Sequence, residues 1–474
     1  MKKYFTIAGI LVLSFQLVKA QIPKPTRQQL QWHDMEFYLF THFGPNTFTD
    51  KEWGEGTEKE EIFNPTNLDC RQWCRVAKAA GARGIIITAK HHDGFCLWPS
   101  KYSTHTVRES KWKNGKGDVL KELSLACKAY GLKFGIYISP WDRNHPDYGT
   151  PKYNDVFVNM MTEIFSKYGP IWELWWDGAN GEGPNGKRQM YDWDRFKRLI
   201  KKLSPNTVVF SDIGPQIRWV GNERGIAGET NWNTLDTVGF SAGPGAPNVD
   251  TLNMGNVNGK FWIPEECDVS IRPGWFYHKE EDDKVKTPEQ LFELYLKSVG
   301  RGATLLLNVP PDRRGLINEI DSLALVGFKK LRDENFRKNL CINSVATIVS
   351  GNKIKSKGLV NDNNQNTFLE IADIQNEQIH IHFKKTAKIN CIVLKEFIKD
   401  GQSVQKFNIA VKGKGNDESF ILTTIGHKRI VSFPARDADD IFITFLESKR
   451  EIKIAEVEAY LIDEKLLEKA AVPK

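Results

Sequence analysis

Residues Asp118–Ser139, DVLKELSLACKAYGLKFGIYIS, decide the fold. They read as an amphipathic helix over Asp118–Tyr130, a glycine at Gly131 where a left-handed C-cap belongs, and an apolar strand over Phe134–Ser139. A short run with no polar face is the pattern of a parallel strand covered on both sides. The unit recurs along the chain. Further strands are expected at Phe37–Thr41, Gly84–Thr88, Ile171–Trp176, Thr207–Ser211, Phe261–Pro264 and Thr304–Asn308. Helices at Asp69–Ala80, Asn154–Tyr168, Asp192–Leu203 and Pro288–Val299 fall between them. Gly81 and Gly169 repeat the glycine stop, and Thr287-Pro288-Glu289-Gln290 supplies a capping box with proline at the first helical position.

Strict alternation of this kind predicts an α/β chain folded as a (β/α) TIM-like barrel. The eighth strand is expected near Ile226–Asn231, where the pattern is weak. A doubly wound open sheet is the alternative, but no Gly-rich phosphate fingerprint follows the first strand. After a helix at Glu319–Asn335 the texture changes. Alternating segments at Gln378–Phe383, Ile389–Lys395, Lys406–Lys412, Phe420–Ile425, Asp440–Leu446 and Lys453–Leu461 read as a C-terminal β-sandwich. The expected division is a signal peptide over 1–20, a catalytic barrel over 21–338, a sandwich over 339–465 and a tail over 466–474.

The leader rests on Lys2-Lys3, an apolar stretch from Tyr4 to Val18, and the small residue Ala20. It predicts export, to the periplasm or the medium. The apolar run falls short of the ~20 residues that a membrane span needs, so no span is expected. The net charge is +7, of which Lys2, Lys3 and Lys19 account for three. Spread over 474 residues, the remainder is no nucleic-acid footprint. Cysteines are seven and widely spaced, which favours buried free thiols over a disulfide framework or a zinc site.

In a parallel barrel, functional groups collect at the C-terminal ends of the strands. Here those ends carry Thr41-His42-Phe43-Gly44, Lys90-His91-His92-Asp93, Ser139-Pro140-Trp141-Asp142-Arg143 and Trp175-Trp176-Asp177-Gly178. A metal at His91-His92 is disfavoured, because neighbouring residues on a strand point to opposite faces. His380-Ile381-His382, in the sandwich, reads as two solvent-facing histidines. Asp177, beside two indoles at a strand rim, could attack an anomeric carbon or cap the segment that follows. A retaining hydrolase needs a second carboxyl group, and Glu223, Glu229, Glu265 and Glu266 are candidates that spacing does not rank.

Taken together, Trp32-His33-Asp34 through to Gly44, Glu52-Trp53, Ala89–Phe95, Gly135–Ser139, Leu174–Gly178 and Thr304–Val309 resemble the α-L-fucosidases of glycoside hydrolase family 29. The C-terminal part resembles the discoidin-type (coagulation factor 5/8) module. The resemblance implies a retaining exo-acting enzyme with Asp177 as nucleophile. It implies sugar contacts from His42, Glu52, Trp53, His91, His92, Tyr137 and Trp175, and neither metal nor cofactor. Trp219–Glu223 and Trp262–Trp275 resemble the branch selective for α-1,3/1,4-linked fucose, in which Glu223 matches the acid/base. The implied partner is a fucosylated oligosaccharide or glycoconjugate. For Glu223 to begin as an acid, Arg224 should point away from it. A broad-specificity fucosidase and a non-catalytic fucosylated-glycan-binding protein are the alternatives; the intact acidic and histidine set speaks against the second.

Overall fold

Eight parallel strands close into a barrel: β1 Phe37–Thr41, β2 Gly84–Lys90, β3 Lys133–Ile138, β4 Glu173–Trp175, β5 Val208–Ser211, β6 Ile217–Trp219, β7 Glu265–Ser270 and β8 Thr304–Asn308. β8 returns to β1, with Phe37 level with Leu305 and Leu39 with Leu307. This is a computed structural model, and it describes residues 22–467 apart from Asn352 and Asn416. The expected leader and residues 468–474 of the expected tail lie outside the described residues.

The strands are apolar because both of their faces are covered. Tyr38, Phe40, Ile86, Tyr137, Trp175, Phe210 and Leu306 point inward and pack as one small cluster. Leu39, Ile85, Ile87, Ile136, Leu174 and Leu307 point outward into a larger core shared with the helices. The helix Val119–Tyr130 begins on the Asp118 carboxylate, which accepts from the Lys121 N–H at 3.0 Å, and ends on Gly131 at φ 65°. A Cβ at Gly131 would touch nothing, so glycine is needed there for its backbone and not for space. The capping box at Thr287 and Gln290 forms as the sequence predicts.

Two strand expectations need correction. Phe261–Trp262 only pairs antiparallel with Thr234–Leu235, outside the barrel, and the barrel strand is Glu265–Ser270. The eighth strand is not at Ile226–Asn231 but at Ile217–Trp219, parallel to β5 and joined to it by 212–216 without a helix. Both true strands hide behind charge. Arg218 is fully buried, donating to the Leu252 carbonyl at 2.7 Å, to the Ile263 carbonyl, and to Glu265 at 3.2 Å. Glu265, Glu266 and Asp268 are buried too, so a hydrophobicity pattern passes over the wall they build.

The C-terminal domain is antiparallel: β9 Val345–Ser350, β10 Lys353–Lys357, β11 Leu369–Ile371, β12 Glu377–Glu396, β13 Val404–Lys412, β14 Glu418–Thr423, β15 Arg429–Ser448 and β16 Ile452–Tyr460. The segments expected at Gln378–Phe383 and Ile389–Lys395 are one strand, β12, with a register break between His382 and Ala387. Ile379, Ile381, Phe407, Ile409, Ile441 and Ile443 fill a core of its own. Cys391, Val393 and Tyr460 belong instead to the barrel's outer core, so the domains share apolar contact. Gln402 adds polar contacts, donating to the Asn231 carbonyl and accepting from the Asn233 N–H, each at 2.9 Å. All seven cysteines are buried and unpaired. No described helix is long and apolar enough to cross a membrane.

Candidate active site

Strand alternation sorts the two tryptophans that precede Asp177. Trp175 turns into the barrel, its ring stacked on Phe210 at 3.8 Å and its Nε1 donating to Glu266 Oε1 at 2.7 Å. Trp176 turns outward against Trp193 and Phe196. Asp177 then sits at the mouth, partly open to solvent. Its Oδ2 accepts from the Tyr137 hydroxyl at 2.8 Å, and its Oδ1 from the Ala179 N–H at 2.7 Å. The capping reading is therefore half right: one oxygen holds a local turn, and no helix starts before Trp193. Gly178 is required behind it, because a Cβ there would run into the Asp212 carboxylate. Burial, with Asp177's charge adding to it, pushes Asp212 up to about 6.

Three histidines stand at this mouth, all buried and all neutral near pH 7. Burial pushes His42 and His92 down to about 4 and His91 well below its usual value. His42 Nδ1 lies 2.9 Å from Asn308 Oδ1, which also accepts the His42 backbone N–H at 3.2 Å. His92 Nδ1 lies 2.8 Å from Ser139 Oγ, whose own proton goes to the Trp141 carbonyl at 3.0 Å. Both Nδ1 atoms are thus donors, which leaves each Nε2 as a lone-pair acceptor. The 3.8 Å approach of His92 Nε2 to Asp177 Oδ2 is for the same reason no ion pair. His91 stacks near Tyr137, its ring 4.1 Å from that of His92, and its buried Nδ1 has no hydrogen-bond partner among the described residues. Two imidazole acceptors beside a carboxylate suit a ligand rich in hydroxyl donors.

The rim completes the pocket. Trp53 is 57% exposed and stands edge-on to His92 and Trp141. Glu52 accepts the N–H groups of Trp275 at 2.7 Å and Phe276 at 3.1 Å, with His278 Nε2 at 2.6 Å. It ties the loop after β1 to the loop after β7 and sets the Trp275 ring 5.1 Å from that of His42. Trp275 Nε1 in turn donates to Glu223 Oε2 at 3.3 Å. Glu223 lies in the loop after β6. Partial burial raises its carboxyl, and the charges of Asp177 and Glu52 raise it further, against the lowering hydrogen bond from Trp275. Arg224 is exposed, and no ion pair joins it to Glu223 among the described residues.

The other candidate glutamates point elsewhere. Glu229 pairs with Arg301 at 3.2 Å, and its carbonyl accepts from Arg429 of the C-terminal domain. Glu265 is enclosed with Arg218, and burial pushes it up to about 8. Glu266 lies beneath Trp175, bonded to the Tyr38 hydroxyl. Arg272 turns away from the mouth to Asp282 at 2.9 Å and Asp321 at 3.0 Å. Sequence reasoning missed Asn308, Ser139 and Phe276 as parts of the site. Asn308 and Ser139 carried a signal, standing at the ends of predicted strands; Phe276 had none.

A closed parallel barrel with carboxylates, neutral imidazoles and indoles gathered at its C-terminal mouth defines the glycoside-hydrolase class. The model of the α-L-fucosidase family matches residues 19–330. The chain belongs to that family, glycoside hydrolase family 29. It is 42% identical over 423 residues to alpha-L-fucosidase 1 of Arabidopsis thaliana, covering 87% of this chain and 82% of that one. Among solved structures it is similar to a glycoside hydrolase 29 family member from an unknown rumen bacterium, with TM-score 0.83 and 41% identity, over 94% of this chain and 78% of the other. It is also similar to a Ruminococcus gnavus GH29 fucosidase solved in complex with fucose, with TM-score 0.81 and 28% identity, over 94% and 96%.

Proposed function

We propose that this chain is an exported, retaining exo-α-L-fucosidase that releases terminal α-1,3/1,4-linked L-fucose from glycans. The observation that carries the reading is the pairing at the mouth. Asp177 accepts hydrogen bonds from a phenol and a backbone N–H, and Glu223 is the one candidate glutamate that shares its electrostatic field there. Asp177 attacks the anomeric carbon while protonated Glu223 gives its proton to the departing glycosidic oxygen. Glu223 then takes a proton from water, which displaces Asp177 and frees fucose with its configuration retained. His42 and His92 accept hydrogen bonds from the ring hydroxyls, Trp175 and Tyr137 floor the pocket, and Trp53 covers its rim. His91, Glu52 and Trp275 hold the walls.

The names of the relatives support the sugar: one is an alpha-L-fucosidase, and another was solved with fucose. Linkage selectivity rests on the resemblance of Trp219–Glu223 and Trp262–Trp275 to one branch. Export rests on residues 1–20, and the C-terminal domain is read as a discoidin-type module that braces the barrel. The test is incubation with a panel of fucosylated oligosaccharides, following free fucose. Release from Lewis-type trisaccharides but not from a 2-linked fucoside is expected. Release from both places the chain in the broad-specificity branch, and binding without release refutes the enzyme. Export predicts that the mature chain, recovered outside the cytoplasm, begins at Gln21; a cytoplasmic chain starting at Met1 contradicts it.

A further inference from the structure

We propose that His380, His382 and Asp440 form a binding site for a transition-metal dication of the zinc, nickel or copper type on the outer face of the C-terminal domain. Alternation along β12 buries Ile381 in the core and puts both histidines on one face. The antiparallel ladder with β15 sets Asp440 directly opposite His382 and Phe442 opposite His380. The third ligand is thus supplied by a residue about sixty positions away in the chain, which no local spacing reveals.

The geometry is convergent. His380 Nε2 lies 2.6 Å from Asp440 Oδ1 and His382 Nδ1 lies 2.8 Å from the same oxygen. The three ligand atoms lie within 4.8 Å of one another. A tetrahedral zinc with bonds of ~2.0–2.1 Å separates its ligand atoms by about 3.3 Å. Opening the two contacts to Asp440 Oδ1 by roughly half to three-quarters of an ångström is a small rotation for side chains on a solvent-facing strand. His382 is exposed, which leaves room for water at the remaining position.

The surroundings hold the ligands in place, as working metal sites require. The His380 ring stacks on Phe442 at 4.4 Å, with 4° between the planes. Lys412, opposite Asp440 on β13, carries its ammonium over the Phe442 ring at 5.0 Å. Two imidazole nitrogens and one carboxylate oxygen select zinc, nickel or copper over calcium or magnesium, which prefer all-oxygen sites. Without an ion, both imidazoles must spend an N–H on one oxygen. A dication takes the place of both hydrogen bonds, each imidazole proton moving to its other ring nitrogen, and pins β12 to β15 just before the register break at His382/Ala387.

The test uses the full mature chain, stripped with chelator and titrated with zinc in a calorimeter and with cobalt in the visible range. Zinc binding is expected in the wild type, together with a rise in Tm. His382→Ala and Asp440→Asn should each weaken that binding by about tenfold or more and abolish the Tm rise. Asp440→Asn keeps an oxygen that can accept from both imidazoles, so its fold is preserved, and the barrel histidines are intact in both variants. No zinc bound by the wild type at millimolar concentration, or binding undiminished in either variant, overturns the site.

Discussion

Asp177 and Glu266 are joined through Trp175: the first follows it in the chain, and the second accepts its indole N–H. One acid stands at the barrel mouth and the other inside the barrel wall. Asp177 is partly open, and each of its oxygens accepts from a fixed donor, which sets its position at the mouth. Glu266 is fully buried beside Glu173, and burial raises both carboxyls, with Glu266's charge raising Glu173 further. Tyr38, Trp32 and Trp175 tie the pair into the wall. The difference teaches that residue type does not assign chemistry in this barrel. Depth along the strand matters for this pair: Asp177, past the last ladder residue of β4, reaches the mouth, and Glu266, within the β7 ladder, holds the floor beneath it.

The contrast breaks most visibly at Asp177. Asp177→Ala or Asp177→Asn should lower kcat/KM on an aryl fucoside by roughly 10^4-fold or more, with the unfolding midpoint little changed. Full activity in either variant removes the nucleophile from the account. Next comes Glu223→Ala, expected to lose about 10^2–10^4-fold on substrates with poor leaving groups. It should regain turnover on an activated substrate with azide, giving a fucosyl azide. Rescue at Glu229, Glu265 or Glu266 instead would mean that a wall or interface acid does the mouth's work. Glu266→Ala should show the opposite balance. Urea unfolding should report a loss of about 2–4 kcal/mol, from an unpaired buried indole N–H and a cavity in the floor.

The smallest effects concern the pH profile. In the proposed mechanism protonated Glu223 is the reactive acid, so kcat/KM should fall as pH rises through its pKa. Trp275→Phe removes the hydrogen bond that lowers Glu223, and the alkaline limb should move to higher pH. Glu52→Gln removes a charge that raises it, and the limb should move to lower pH. Each shift should be less than about one unit, because water and salt screen an open mouth. Shifts of the same sign in both variants would contradict the assignment of the limb to Glu223.

The same division between mouth and wall explains what could be read in advance. β1 to β5 and β8 were legible because apolar residues fill both faces; their ends carried His42, His91, His92, Trp175 and Asp177, the family resemblance added Tyr137, and these gather at one mouth. β6 and β7 were not, because Arg218, Glu265, Glu266 and Asp268 are charges whose partners come from other strands and loops. The cross-loop contacts from Glu52 to Trp275 and from Trp275 to Glu223 span 223 and 52 residues and have no local signature. His380 and His382 read as two solvated side chains for the same reason, since Asp440 reaches them only through the ladder.

The central claim is that the mouth carboxylate, not a wall acid, bonds to the sugar. Its most direct test is trapping with 2-deoxy-2-fluoro-fucosyl fluoride, followed by digestion and peptide mass spectrometry. One 2-fluorofucosyl ester is expected, on Asp177, and turnover of a natural substrate should release fucose with retained configuration. An adduct on Glu266, Glu265 or Glu223, or inverted product with no adduct during turnover, would contradict that claim.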